Sequence, residues 1–262
     1  MNYTDMTEPL VIVKVGGAIV EQPDSLKKLL DDFRAIPGNR ILVHGGGRSA
    51  TALSARLGIE SKMVDGRRIT DAETLKVVTM VYGGLVNKNI VAGLQASGIN
   101  AIGLTGADGN AIRAVKRPVK DIDYGFVGDV VEVNTDFIAS LLHQGIVPVM
   151  APLTHDHNGL MLNTNADTIA AEVAKALSRQ FKVTLIYCFE KPGVLMNPDD
   201  DNSVIPYISY YDFPRLVDDG TISGGMIPKL QNAFNALNAG VSSVLITAAS
   251  ALDRLEGTTI AL

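Results

Sequence analysis

Short, continuously apolar runs rich in β-branched residues recur along this chain, and most end in a turn that hands over to helical periodicity. VIVKV (Val11 to Val15) leads through two glycines to the amphipathic stretch SLKKLLDDFRAI, and ILVHGGG leads to SATALSARL. INAIGL ends at a glycine-rich turn, GIVPVM reaches Pro-Leu before a polar turn, VTLIYCF ends at EKPGVL, and SSVLITAAS closes the series. Strands without polar alternation have no wet face, so they belong in a parallel sheet covered by helices on both sides. An α/β fold follows. Ligands of such sheets bind beyond the carboxyl ends of the strands, which directs attention to the glycine turns after Val15, Val43 and Leu104.

Two stretches interrupt the alternation. Residues 111–134 (AIRAVKRPVKDIDYGFVGDVVEVN) read as a β-hairpin with a polar middle from Asp121 to Gly125, and the DGRR turn at 65–68 joins two short extended pieces. Both are expected beside the sheet as antiparallel elaborations, not as separate domains. The residues from Asp71 to Ser97 read as one long helix with Gly83 and Gly84 in mid-course. Each glycine costs ~1 kcal/mol relative to alanine in a helix interior, which close backbone packing or a kink would offset. Asn165-Ala-Asp167 opens another strong helical pattern, TIAAEVAKALSRQ, and divides the chain into an N-terminal lobe (residues 1–164) and a C-terminal lobe (165–262) sharing one sheet.

Composition narrows the functional classes. With 262 residues there is ample length for a core. No run approaches the ~18 apolar residues of a membrane helix, and the opening MNYTDMTEPL carries two acids and no apolar signal region. The single cysteine, Cys188, excludes a disulfide framework and a cysteine-cluster metal site. A net charge of −5 without a basic block argues against a nucleic-acid scaffold. The expectation is a cytoplasmic globular protein with neither nucleic acid nor membrane as partner.

Five motifs carry possible chemistry. Lys14-Val-Gly16-Gly17 sets an ammonium at a strand end beside exposed backbone amides at a helix start, which suits phosphate oxygens; the plain alternative is a tight turn with a solvated lysine. It is neither a P-loop nor a G-x-G-x-x-G motif. His44-Gly45-Gly46-Gly47 leaves no side chain between a ligand and a row of amides, an entropically costly device for a merely structural turn. His44 itself reads as a packed strand-end histidine, not a general base. In Asp65-Gly66-Arg67-Arg68-Ile69-Thr70 an arginine fork can grip a carboxylate, although adjacent turn arginines are often just solvated. In Asn163-Thr-Asn165-Ala-Asp167, Asn163 can meet a polar substrate group, and Asp167 either caps its helix or orients two lysines. Gly224-Gly225-Met226-Ile227-Pro228-Lys229 brings a second lysine to a helix opening, where proline is also favoured.

Taken together, two lysines, an organising aspartate and glycine-rich amide cradles are what phosphoryl transfer needs, because the protein's task there is positioning and charge neutralisation. An acceptor that is already a carboxylate needs no general base. The order and spacing of KVGG, HGGG, GRRIT, LNTNAD and GGMIPK resemble the amino acid kinase family from about Leu10 to the C-terminus. KVGG, HGGG and NAD recur across that family, and GRRIT with LNTNAD points to its branch of acetylglutamate kinases in arginine biosynthesis.

The resemblance implies an open three-layer αβα sandwich with a mainly parallel central sheet. Its N-terminal lobe would bind an acylamino acid and dimerise, and its C-terminal lobe would bind ATP with magnesium held mainly by the nucleotide phosphates. By motif, Lys14 and Lys229 would stabilise transition-state charge with Asp167 holding both. Gly46 and Gly47 would meet substrate through their amides, Arg68 would clamp a carboxylate, and Asn163 would contact the substrate's other end. The nucleotide would lie by Gly16 and Gly17 and against Glu190, Lys191, Pro192, Gly193, Val194, Leu195, Thr221, Ile222 and Ser223. Glu190-Lys191 departs from the aspartate and small apolar residue usual in the family.

The implied reaction is phosphorylation of the side-chain carboxylate of N-acetyl-L-glutamate or another N-acylglutamate. Rival acceptors within the fold are N-succinylglutamate, aminoadipate, aspartate, glutamate, carbamate or a nucleotide. A rival of another class is a non-catalytic ligand sensor, against which the two lysines and the aspartate speak. Arginine-inhibited members of the family carry an extra N-terminal helix that interlaces dimers. Such a helix needs roughly 15 residues at 1.5 Å rise each, more than precede the first strand here. A homodimer insensitive to arginine is therefore expected, joined through Met80, Val81 and Tyr82 of the long helix.

Overall fold

The computed structural model describes residues 8–64 and 66–262. Its central sheet contains β1 (Pro9–Val15), β2 (Asn39–His44), β5 (Ala101–Leu104), β8 (Val147–Met150), β11 (Lys182–Phe189), β12 (Tyr207–Ser209), β13 (Ser243–Ala248) and β14 (Thr258–Ala261), in the order β12-β14-β13-β11-β1-β2-β8-β5. All the apolar runs expected as strands lie in it. Pairing is parallel except that β14 runs antiparallel to β13. The edge strand β12 and its neighbour β14 are a finding; at three and four residues they carry too little periodicity to be read in advance. The strand β1 lies centrally, pairing Lys14 with Val43 on one side and Tyr187 on the other.

Alternation along β1 sorts the two covering layers. Leu10 and Ile12 are buried with Ile169 and Val173 of α7 (Ala166–Leu177), Phe234 of α9 (Met226–Asn238) and Ile138 of α6 (Thr135–His143). Val13 and Val15 point to the other side, where they join Leu29 and Phe33 of α2 (Pro23–Ala35) and Val77 and Ile90 of the long helix. Lys14 shares parity with Ile12, so it emerges among α7 and α9. The short α1 (Gly17–Val20) follows β1, α3 (Gly47–Arg56) follows β2, and α8 (Phe213–Asp218) precedes α9.

The long helix runs from Ala72 to Ala96 as α4 (Ala72–Val78), a π-helical stretch (Thr79–Val86) and α5 (Asn87–Ala96), with Asp71 capping Thr74 N. The expected irregularity at the glycine pair is thus a widened turn. A side chain on Gly83 would crowd Leu153 and Thr105 at 3.4 Å, whereas Gly84 faces open space. By length and composition this helix is apolar enough to cross a membrane, although no unbroken apolar run in it is that long. Its apolar side is buried in the core: Val77, Val78, Val81, Ile90 and Leu94 are almost fully covered.

The expected hairpin forms from β6 (Ile112–Lys116) and β7 (Gly128–Val133), with a bulge between Arg113 and Ala114. It belongs to a four-stranded sheet with β9 (Leu153–His155) and β10 (Met161–Asn163). The arginine turn is the small hairpin β3 (Met63–Val64) with β4 (Arg67–Arg68). Asp65, and residues 1–7, on which the expectation about an interlacing helix rests, lie outside the described residues.

Candidate active site

The carboxyl ends of β11, β1 and β2 converge on two glycine loops. Gly16 N donates to Cys188 O at 3.3 Å, and Gly45 N donates to Val15 O at 3.0 Å, so the loops continue the sheet's own ladder. A Cβ on Gly17 would stand 3.1 Å from Gly46 N and 3.3 Å from Gly47 N. Glycine at 17 thus keeps the space in front of those two amides open. Neither amide has an acceptor among the described residues, and both lie at the N-terminus of α3, where the helix dipole favours an anion.

Lys14 is 7% exposed, and its Nζ lies 2.8 Å from Asp167 Oδ1. Asn165 makes this pairing possible by doing the capping itself: its Oδ1 accepts from Asp167 N and Thr168 N. The Asp167 carboxylate is thereby left to face the lysine instead of its own helix. Lys229, in the first turn of α9, sits with Nζ 4.0 Å from the centroid of the Phe189 ring, and Lys14 Nζ is 5.2 Å from the same centroid. Lys229 makes no ion pair among the described residues. Burial, seconded by the Lys14 charge and opposed by Asp167, holds it below the usual lysine range. Phe189 was not anticipated; its position as the last residue of an apolar strand, just before Glu190, was the available signal.

Two pockets meet at this point. A cleft of about 840 Å³, a normal size for a small-molecule site, is lined by Lys14, Gly16, Gly17, Phe189, Glu190 and Lys229 among others. A smaller pocket of about 180 Å³ is lined by Gly46, Arg67, Tyr82 and Asn163 among others. Gly47, Met63 and Arg68 line both. Arg68 is 7% exposed and already braces the junction: its guanidinium donates to Gly47 O at 2.9 Å, Thr51 Oγ1 at 2.8 Å and Ser61 Oγ at 2.9 Å. Asn163 donates from Nδ2 to Thr70 Oγ1 at 2.9 Å.

The expected nucleotide-side residues divide. Glu190, Lys191 and Gly193 line the large cleft. Val194, Leu195 and Ile222 are buried in the core, and Pro192, Thr221 and Ser223 stand outside the lining. Glu190 reaches Arg48 at 3.5 Å, an exposed pair across the cleft from α3, while Lys191 pairs with Asp201 at 2.8 Å. His44 is fully buried, and burial pushes its imidazole down to about 4. That fits the packed residue expected and not a base working near neutrality.

Two ammonium groups, only one of them paired with a carboxylate, beside backbone amides without acceptors among the described residues, can stabilise a phosphoryl group in flight between two bound molecules. The chain is similar to several known proteins. The acetylglutamate kinase of Phocaeicola vulgatus is 70% identical over 255 residues, covering 97% of this chain and 99% of that protein. The acetylglutamate kinase of Cytophaga hutchinsonii is 59% identical, covering 95% and 94%. Among solved structures, N-acetylglutamate synthase from Neisseria gonorrhoeae shares the fold, with a TM-score of 0.83 at 24% identity over 97% of this chain and 59% of that one. The pattern of the amino acid kinase family matches residues 9–248, and the chain belongs to that family.

Proposed function

We propose that this kinase transfers the γ-phosphoryl group of ATP to the side-chain carboxylate of N-acetyl-L-glutamate, giving an acyl phosphate and ADP, a step of arginine biosynthesis in the cytoplasm. The observation that carries the reading is the meeting of the two pockets at Gly47 and Arg68, with Lys14, paired to Asp167, in the lining of the larger one. The names of relatives at up to 70% identity over nearly the whole chain support the same substrate. ATP lies in the larger cleft, with its phosphates toward Gly16, Gly17 and Lys229. The acylamino acid lies in the smaller pocket between Arg68 and Asn163. A carboxylate oxygen attacks in line, and the charge that develops on the transferred group falls on Lys14, Lys229 and the amides of Gly46 and Gly47. The attacking carboxylate has no proton to lose, so no base is required.

Magnesium suits this donor set as a companion of the nucleotide. Among the described residues no three His, Cys, Asp or Glu side chains gather to hold an ion by themselves, and Asp167 is engaged with Lys14. Bound through ATP's phosphate oxygens, the ion would offset phosphate charge. In this reading residues 1–164 bind the acylamino acid and residues 165–262 bind most of the nucleotide.

The protein works as a homodimer joined by the long helix. The surface offered is Met80 and Leu85, exposed at 53% and 57%, around Gly84. Val81 and Tyr82, expected with Met80 at such an interface, turn into the core at 1% and 6% exposure.

Purified protein given ATP and a panel of acceptors, with hydroxylamine trapping the acyl phosphate, tests the reaction. N-acetylglutamate should be turned over best, ahead of N-succinylglutamate, aminoadipate, glutamate, aspartate and carbamate. ATP binding without turnover of any acceptor would refute it.

A further inference from the structure

His44 is absorbed by no step of the proposed reaction, yet it is the last residue of β2, directly before the glycine loop, and is completely buried. Its Nδ1 lies 2.7 Å from Gly45 O, and its Nε2 lies 3.1 Å from Asn87 Nδ2. The neighbours of Asn87 decide which end of that amide is which. Its Nδ2 also donates to Val149 O at 2.9 Å, while its Oδ1 accepts from Lys88 Nζ at 3.0 Å. Lys88 is anchored in turn on Gly103 O at 3.0 Å. A carbonyl oxygen can only accept and an ammonium can only donate. The amide NH₂ therefore faces His44, Nε2 must accept, and the ring hydrogen must sit on Nδ1. From there it donates to Gly45 O.

That bond acts on the candidate active site through one rigid unit. Gly45 C=O and Gly46 N–H belong to the same planar trans peptide and point in opposite directions. Pinning the carbonyl against the imidazole aims the Gly46 N–H the other way. Gly46 N stands 3.1 Å from the point a Cβ of Gly17 would occupy; Gly17 lines the larger cleft and Gly46 the smaller pocket. A glycine peptide has little else to hold it, since φ and ψ there are not restrained by a side chain.

We propose that His44, locked by Asn87 as the neutral Nδ1–H tautomer, is a positioning residue that orients the Gly45–Gly46 peptide so that the Gly46 amide faces the transferred phosphoryl group. The proposal rests on the phosphoryl-transfer reading above. Its burial, which keeps the ring uncharged at neutral pH, is consistent with the lock.

Two variants separate positioning from mere packing. An asparagine side chain carries its amide nitrogen about where the imidazole Nδ1 stands, and a glutamine carries its amide where Nε2 stands. His44→Gln should lose ~10²-fold in kcat, the scale of one misdirected electrostatic donor. Its KM values for ATP and N-acetylglutamate should stay within ~3-fold, because the donor acts mainly in the transition state. His44→Asn should recover kcat to within ~10-fold of wild type by restoring the bond to Gly45 O. Equal losses in both variants, or losses confined to KM, would overturn the proposal. ¹⁵N-detected NMR of the wild-type imidazole at neutral pH provides a readout that needs no variant to fold. A hydrogen on Nδ1 supports the lock, and one on Nε2 or on both nitrogens overturns it. Absence of wild-type turnover on the acceptor panel would instead sink the underlying reaction, a result distinguishable from either outcome for His44.

Discussion

Replacing Asp167 by leucine leaves the Lys14 ammonium without its partner in a place where water hardly reaches. The two side chains are 8% and 13% exposed, with Nζ and Oδ1 2.8 Å apart. The ~0–1 kcal/mol typical of surface ion pairs therefore does not apply. One-sided removal from a buried pair costs ~3–5 kcal/mol, and the residual exposure of Asp167 argues for the lower end. For a chain of this size each kcal/mol moves the melting temperature by ~2–4 °C, so Asp167→Leu should melt roughly 6–12 °C below wild type. The double variant Lys14→Met/Asp167→Leu removes both charges and should return to within ~1 kcal/mol of wild type, since buried pairs add little over apolar replacements. Turnover should not return with it. Each single change should lower kcat by ~10²–10³, and the double variant should be no better than the worse single. Urea denaturation followed by circular dichroism, run beside the hydroxylamine assay on the same preparations, measures both quantities. A double variant as unstable as Asp167→Leu, or one that regains activity along with stability, would refute the reasoning.

Three further outcomes follow from the site's geometry. A Cβ on Gly46 would lie 2.9 Å from Tyr82 Cδ1 and 3.3 Å from Val86 Cγ2. Gly46→Ala should cost ~1–3 kcal/mol by overpacking, with Tyr82→Leu relieving most of it in a denaturation series. Lys229, held below the usual lysine range chiefly by burial, must be protonated to act, so kcat should be level at neutral pH and fall as pH rises through its lowered value; a profile still flat beyond the ordinary lysine value of ~10.4 would remove Lys229 from the chemistry. His44 titrates at about 4 when folded against 6.5 when unfolded, so below 6.5 the unfolded chain takes up a proton that the folded one refuses. Its contribution is intact above 6.5 and lost as pH falls toward 4, about 3 kcal/mol in all at 1.36 kcal/mol per unit. The stability gap between wild type and His44→Asn should close by that amount over this window.

Much of the scaffold is decided by local chemistry and can be read directly. The apolar runs at Val11 to Val15, Ile41 to Val43 and Val183 to Phe189 have no polar face, so burial on both sides is their only stable use, and all lie in the central sheet. The Asp71 to Ser97 pattern carries its own cap and periodicity, and the helix spans Ala72 to Ala96. The glycine loops at 16–17 and 45–47 announce themselves by composition, and at Gly17 and Gly45 a Cβ would stand 3.1 and 3.0 Å from backbone nitrogen of the facing loop.

What remained hidden depends on neighbours distant in sequence. Periodicity says which side of β1 carries Lys14, but only the packing of α7 on that side sets Asp167 against it, and only Asn165's occupation of the cap leaves Asp167 free. Phe189 gains its place under both lysines from the parallel pairing of β11 with β1, which no local pattern encodes. The same holds for β12 at the sheet edge and its neighbour β14, too short to have a period of their own. Val81 and Tyr82 turn inward as Val77 and Val78 do one turn earlier, while Met80 stays out. The orientation of the Gly45–Gly46 peptide is the extreme case. A residue with no side chain states no preference, so His44 and Asn87, brought together from β2 and the long helix, decide it.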